Sequence, residues 1–524
     1  MAEDKDKSVT KIQRTFSFYG LSITKQLCAS IHKFLQKIDP DERESWLTRV
    51  IKDIFKQNPG TPQVSLEALQ RSITECHKPE SSLQETETVF NVINAFDIPK
   101  VAWDNDKKKF VLQKVVPELY ANAVEKSSIF RDRLGLLWHR TRRQELFTPL
   151  RFGEDFSERW ELTPIEYLMS ELKTGNVFVL GLLSQLTEGQ FYLEDTGGSV
   201  KIDLKKASFQ AGLVTEGSIV IANGNFEDGV LNVKDIGFPP AEPSKNTRAL
   251  FGNENTFGGA HPTTLKISEK LRAREEARSE AMIIFVSEFW VDDNRVLDKF
   301  ETMLKGFSEF PPVAFVLCGH FLSFPPNITS AQKLKEGFSK VAEIIQKYQD
   351  IKESSQFVLV PGPYDLGSPK ILPRGPLPKS ILEDLTRKIP NTILATNPCR
   401  IQYCTKEIVV FREDMLMKLC RNTLKFPDEG EIYEHYAKSI ICQSHLSPLC
   451  LPVTPVYWKY DHTLQLFPTP DLIVVADKFQ PYTTSYEDCQ VVNPGTFVTN
   501  DFSFKVYVPS TNIIEDSAIP NEPL

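Results

Sequence analysis

Three short apolar runs limit the folds open to this chain more than any other feature: Met282-Ile-Ile-Phe-Val286, Val313-Ala-Phe-Val-Leu317 and Phe357-Val-Leu-Val360. Each is continuous rather than alternating, and each is rich in β-branched or aromatic residues. A helical stretch, Asp292 to Gly306, separates the first two. Such runs read as strands buried on both faces, which means a parallel α/β sheet covered by helices. In such sheets the site is built from residues just past the carboxyl ends of the strands. The three runs end in Ser287-Glu288-Phe289-Trp290, Cys318-Gly319-His320-Phe321 and Pro361-Gly362-Pro363-Tyr364-Asp365.

That order of strand ends resembles the calcineurin-like metallophosphoesterases, whose strands end in Asp-x-His, Gly-Asp-x-x-Asp and Gly-Asn-His-(Asp/Glu). Their chemistry needs those residue types, because two divalent cations about 3.5–4 Å apart must be neutralised and oriented by carboxylates and imidazoles. In this chain the frame is kept and the ligands are replaced. Glu288 stands at the first Asp and Trp290 at its His. His320 replaces the Asp after Gly319, Ser323 takes the next acidic position, and Pro363 and Tyr364 replace the Asn-His pair. Downstream, where relatives carry Gly-His and Gly-His-x-His, the counterparts are His445, with no glycine before it, and Asp477-Lys478, with no histidine. An indole does not ligate a metal, and proline has no side-chain donor. The resemblance therefore implies a phosphoesterase sandwich with a degenerate metal site, no catalytic residue, no metal and no cofactor.

The rest of the chain supplies added domains. Ile23, Leu27, Ile31, Phe34 and Ile38 recur at helical spacing, and Asp39-Pro40 then offers an N-cap and a proline at N1. A second helix would carry Trp46, Val50, Ile54 and Phe55, and a third, capped by Ser65, Leu66, Leu69 and Ile73. Residues 1–75 are expected to form a small helical bundle. Residues 76–165 read as a linker with connecting helices, one around Glu85–Asn94 and one from Ser128 to Arg143. The basic cluster His139-Arg140-Thr141-Arg142-Arg143 reads either as a phosphate contact or as a solvated helix end.

From residue 166 to 240 the period changes to that of short antiparallel strands: Val177–Leu186, Gln190–Glu194, Val200–Leu204, Ser218–Ala222 and Val230–Ile236. Strands of this length and spacing suit an OB barrel. From Val177 to Ile236 there are eight acidic residues, four lysines and no arginine, a net charge of 4 − 8 = −4. OB barrels that hold single strands use basic grooves and stacking aromatics, so a protein contact is the better expectation. Residues 241–280 read as a linker whose glycines lack the Lys-Ser/Thr of a phosphate loop. Residues 281–524 would be the phosphoesterase domain.

The net charge of −8 over 524 residues disfavours direct engagement of a phosphate backbone by the whole surface. Cys399 with Cys404, and Cys442 with Cys450, lack the spacing of zinc knuckles. The first residues, Met1-Ala-Glu-Asp-Lys-Asp-Lys, contain no signal-peptide core, and no apolar run approaches the roughly 20 residues that span a bilayer. The expectation is a soluble intracellular protein in a reducing compartment, without a membrane partner.

The stretches Thr396-Asn-Pro-Cys-Arg-Ile-Gln-Tyr-Cys-Thr-Lys-Glu-Ile-Val-Val-Phe-Arg-Glu-Asp414, Val456-Tyr-Trp-Lys-Tyr-Asp461, Ala476-Asp-Lys-Phe479 and Asn493-Pro-Gly495 narrow the resemblance. So do Asn91-Val-Ile-Asn-Ala-Phe-Asp-Ile-Pro99, Glu145-Leu-Phe-Thr-Pro149 and Leu193-Glu-Asp-Thr-Gly-Gly-Ser-Val-Lys-Ile-Asp-Leu204. Together they resemble the B subunits, the second and non-catalytic subunits, of eukaryotic DNA polymerase epsilon. Most of the chain takes part, and its first 20 residues contribute little. The resemblance implies an N-terminal domain like the lid of AAA+ ATPases, an OB fold and an inactive phosphoesterase domain. It also implies an accessory subunit of the nucleus that scaffolds the C-terminal cysteine-rich region of the catalytic subunit. Small histone-fold subunits would be neighbours in the complex. The N-terminal domain would link the polymerase through GINS to the replicative helicase during leading-strand synthesis, and DNA would be met only through the complex. The enzyme alternative is a divergent metal-dependent phosphodiesterase or exonuclease that recruits Glu288, His320, Asp365 and His445. A third class, a free single-strand-binding OB protein, conflicts with the acidic barrel.

Overall fold

The computed structural model describes residues 90–520 except 114, 149–158, 171–174 and 368, and in the first 89 residues 12–17, 19, 21–35, 47, 50, 51, 54, 64, 69 and 72. The chain divides into two compact units, Met1–Thr88 and Val89–Leu524.

In the first unit Lys25–Leu35 is helical. Ile12, Phe16, Ile23, Leu27, Ile31, Val50, Ile54 and Leu69 are all buried in one apolar cluster. The helical spacing of Leu27 and Ile31 puts both on the face that meets this core. Ile38, Trp46, Phe55, Ser65, Leu66 and Ile73, and the side chain of Phe34, lie outside the described residues.

The α/β part of the second unit is built on two six-stranded sheets. The three apolar runs form strands Ile283–Ser287, Ala314–Cys318 and Gln356–Val360. They pair in parallel, with Phe285 opposite Val316 and Val316 opposite Val358. Thr392–Leu394 extends this sheet on one side, and the antiparallel pair Ser503–Val508 and Ile513–Ala518 extends it on the other. Alternate residues point to opposite faces. Ile284, Val286, Phe315 and Leu317 meet the helices Asn294–Gly306 and Ser330–Gln346. Ile283, Phe285, Val316 and Val358 face the second sheet, against Ile401, Ile408, Val410 and Val474. The outer face of that second sheet, Val409, Phe411, Ile473 and Val475, is covered by Met415–Asn422 and Ile432–Cys442. The result is a four-layer α/β/β/α sandwich, the architecture that the sequence resemblance implies.

Residues 175–237 form the expected barrel. Its strands are Gly175–Thr187, Gln190–Glu194, Ser199–Asp203, Ile219–Glu227 and Val230–Gly237, with a two-residue strand at Ser208–Phe209. It closes through the parallel pairing of Lys201–Asp203 with Val230–Asn232, which makes it an OB fold. The barrel shares its core with the sandwich, since Leu213, Val214 and Val220 pack in one cluster with Tyr436, Ile440 and Leu449. Polar bonds fix the junction. The Gln443 side chain accepts from the Ile219 amide at 2.8 Å and donates to its carbonyl at 2.7 Å, and Ser439 Oγ accepts from Leu213 N at 2.8 Å.

Gly217 lies at this junction with φ +88°, and a Cβ there would stand 2.8 Å from Cys450 N. Gly229, in a barrel turn with φ +76°, has nothing within 4 Å of a Cβ. Gly229→Ala is expected to cost only the left-handed backbone penalty of roughly 1–2 kcal/mol. Gly217→Ala adds a backbone clash at the domain junction, so thermal melts of the two variants should differ, with Gly217→Ala clearly the lower.

Three stretches depart from the sequence reading. Phe90–Asn94 is a strand and not part of a helix; it pairs antiparallel with Cys399–Tyr403 at the edge of the second sheet, while 85–89 lie outside the described residues. Asn91-Val92-Ile93 favours an extended backbone, and an edge with unpaired backbone groups was available to it. The stretch read as a linker over 241–280 is a strap held down by ion pairs, with Glu242 on Arg143 at 2.6 Å and Arg248 on Glu407. The basic cluster at 139–143 is divided: Arg142 is exposed, whereas His139 and Arg140 are engaged within the fold. His139 stacks on Trp103 at 3.5 Å between ring centres. Arg140 is fully buried, bonded to Ser444 Oγ at 2.6 Å and to the carbonyls of Pro239, Ile441 and Cys442. The last two are carbonyls of the final turn of helix Ile432–Cys442, where a cation is stabilised.

Candidate functional site

Past strand Ile283–Ser287 the chain turns at Glu288, a non-glycine residue with φ +59°, a conformation that costs free energy and is concentrated at functional sites. The turn aims the carboxylate inward, where only 2% of the residue is exposed. Its Oε2 accepts from Trp290 Nε1 at 3.0 Å. Its Oε1 accepts from His320 N at 3.3 Å, lies 2.7 Å from His320 Nδ1, and receives the Arg412 Nη2 donor. Burial by itself would push the Glu288 carboxyl up, but the His320 hydrogen bond and the Arg412 charge hold it well below the usual carboxylate range.

Arg412 follows the strand Lys406–Phe411 of the second sheet, so the two sheets meet in this ion pair. Its side chain is completely buried. Nη1 donates to Asp414 Oδ1 and to Ala476 O, each at 2.9 Å, and Nε donates to Gly319 O. Burial opposes the charge, and Glu288 with Asp414 more than restores it, so the guanidinium stays protonated. The second strand end is packed equally tightly. A Cβ on Gly319 would lie 1.8 Å from Asp365 Oδ2. The Asp365 carboxylate accepts from Phe321 N at 2.9 Å and Gly362 N at 2.7 Å, stitching the second and third strand ends together.

The structure brings Glu288, Trp290 and His320 into contact, with Tyr364 leaning on the His320 ring at 5.0 Å. Pro363 is buried beside them. Ser323 points elsewhere, bonded through Oγ to Asp292 at 2.7 Å. His445 belongs to a different network. Its Nδ1 accepts from Ser447 N at 3.0 Å and its Nε2 lies 3.5 Å from Asp461 Oδ1. Asp477 serves as a backbone acceptor, taking Leu416 N and Phe479 N at 2.9 Å each, and Lys478 is exposed with its amide on Asp414. Among the described residues no group of three or more His, Cys, Asp or Glu side chains is arranged to hold a metal ion.

Asp477 provides a pH test. Burial first, and then the nearby Asp414, raise its carboxyl to about 6. An unfolded aspartate titrates near 3.9. Between these values the folded state holds a proton that the unfolded chain has lost, so this group's contribution to stability falls as pH rises from about 4 to about 6. The stability of the native chain relative to Asp477→Asn is therefore expected to improve on going from pH 7.5 to pH 5, by on the order of 1–2 kcal/mol. Parallel thermal melts at the two pH values measure it.

Arg412 is the residue that sequence reasoning passes over. The signal is present, because Arg412-Glu413-Asp414 follows an apolar strand in the same way that Glu288 does. The strand-end rule applies to both sheets of a sandwich.

The sandwich and the OB barrel share one core, the pairing of domains that the sequence resemblance implies, and comparison with known proteins identifies the family. Residues 283–484 match the model for the B subunit of DNA polymerase alpha/epsilon. Residues 123–240 match the OB-fold domain of DNA polymerase epsilon subunit 2-like proteins, and residues 7–76 the N-terminal domain of DNA polymerases epsilon. DNA polymerase epsilon subunit 2 of Homo sapiens is 43% identical over 96% of this chain and 97% of its own length. The Drosophila melanogaster protein of that name is 39% identical over 98% of each chain. The B subunit of DNA polymerase epsilon from Arabidopsis thaliana is 35% identical over 97% of this chain and 98% of its own. The chain belongs to the DNA polymerase epsilon subunit 2 family, the B subunits of that polymerase.

Proposed function

We propose that this chain is a non-catalytic scaffold of a nuclear DNA polymerase epsilon, with a phosphoesterase centre whose metal ligands have been replaced. The observation that carries the reading is the Glu288–Arg412 pair: a buried guanidinium supplies the positive charge that divalent cations supply in an active centre. Glu288, Trp290, His320, Ser323, Pro363, Tyr364, His445, Asp477 and Lys478 are then former ligand positions put to structural use. The barrel and sandwich, sharing one core, offer a rigid surface for the C-terminal cysteine-rich region of the catalytic subunit. Residues 1–75, in a separate compact unit, are suited to reach GINS and the replicative helicase, with histone-fold subunits elsewhere in the complex and DNA met indirectly.

Co-expression with that cysteine-rich region tests the proposal. A stoichiometric complex that survives size exclusion is expected, without metal-dependent hydrolysis of phosphodiesters. A chain that elutes alone in the presence of that region, or hydrolysis that disappears in Glu288→Ala, would overturn it.

A further inference from the structure

Beside the sealed strand ends lies a cavity of about 650 Å³. Three exposed cations, Lys370, Arg421 and Lys478, line it, and among the described residues none of them makes an ion pair. A fourth, Arg374, is only 3% exposed. Its Nη2 meets Glu413 at 2.6 Å, and its Nε and Nη1 have no hydrogen-bond partner. Buried donors left unpaired are costly, and they mark places where a ligand or water completes the structure.

The carboxylates that line the same cavity are already engaged. Glu413 holds Arg374 and Lys418, Asp414 holds Arg412, and Asp477 takes two backbone amides. The remaining wall is apolar, with Tyr364 44% and Met417 43% exposed and Phe479 beside them. Lys370 lies 3.9 Å over the Tyr364 ring.

We propose that this cavity receives a short acidic segment of a partner polypeptide. Its carboxylates would meet Lys370, Arg421, Lys478 and the free edge of Arg374, and one apolar or aromatic side chain would rest on Tyr364, Met417 and Phe479. Charge complementarity favours this occupant, because a chain of net charge −8 repels an acidic segment elsewhere and attracts it at this concave patch. A lone phosphate would leave most of the volume and the apolar wall unused. The volume lies within the usual range of binding cavities, roughly 300–1,000 Å³.

Fluorescence polarisation of the full chain with a fluorescein-labelled Asp-Glu-Asp-Phe-Glu-Asp peptide at low salt tests it. Saturable binding is expected, weakened about tenfold or more in a Lys370→Glu/Arg421→Glu/Lys478→Glu variant. All three positions are exposed, so an unchanged thermal melt verifies that the variant is folded. Replacing the peptide's Phe by Gly should weaken binding several-fold. Absence of saturation, or equal affinity in the charge-reversed variant, would overturn the proposal. So would displacement by tripolyphosphate together with indifference to the Phe-to-Gly change, which would assign the cavity to phosphate anions.

Discussion

Arg412→Ala is expected to be among the most destabilising single substitutions in the α/β unit, at about 3–5 kcal/mol. Removing the guanidinium leaves Glu288 as a buried, uncompensated carboxylate, with only His320 and Trp290 as partners. It also orphans the carbonyls of Gly319 and Ala476. The measurement is the shift in the main thermal unfolding transition. The paired variant Glu288→Leu/Arg412→Met should recover most of the loss, because a buried ion pair exchanged for apolar groups of similar volume is often neutral or stabilising. That recovery is expected of a structural ion pair and not of a ligand set kept for chemistry.

Asp461→Ala should match it. Arg133, in helix Ala123–Thr141, donates to both Asp461 oxygens, at 2.9 Å and 2.5 Å, with both side chains less than a tenth exposed. Loss of Asp461 strands a buried guanidinium and is expected to cost about 3–5 kcal/mol. Burial would push the Asp461 carboxyl up, but Arg133 and His445 hold it well below the usual range. A carboxylate depressed in the folded state contributes stability that is fully present above its unfolded value of about 3.9 and is lost as pH falls toward the folded value. The native chain should therefore lose stability relative to Asp461→Ala only below about pH 4. Acid titration followed by circular dichroism reads this directly.

How much of the molecule is legible in the sequence depends on whether a residue's fate is set locally. The parallel strands announce themselves, because a strand buried on both faces must be apolar throughout. The barrel does so through its alternation and its Asp-Gly and Gly-Gly turns. The edge strand Ile513–Ala518 is not visible: its Glu515-Asp516 run reads as loop, and only pairing with Ser503–Val508 makes it extended. Phe90–Asn94 reads wrongly as helix for the same reason, since its partner is some 300 residues away in sequence. At the candidate site, the strand-end rule finds the residues at the ends of the first sheet. It misses Arg412, because the role of that residue lies in a contact with Glu288 across the two sheets. Long-range pairing of single charges has no sequence period. Arg140 shows the converse: it sits in a run of basic residues that reads as a surface, yet its guanidinium is buried among carbonyls.

On the proposed function, the buried Arg412 stands where a phosphoesterase sandwich would hold its metal centre. A calorimetric titration of the purified chain with manganese, from the low-micromolar to the millimolar range, tests it most directly. No saturable heat is expected at any stoichiometric ratio. Two tight equivalents of manganese, lost in Glu288→Ala, would contradict it and return the strand ends to the service of a metal-dependent hydrolase.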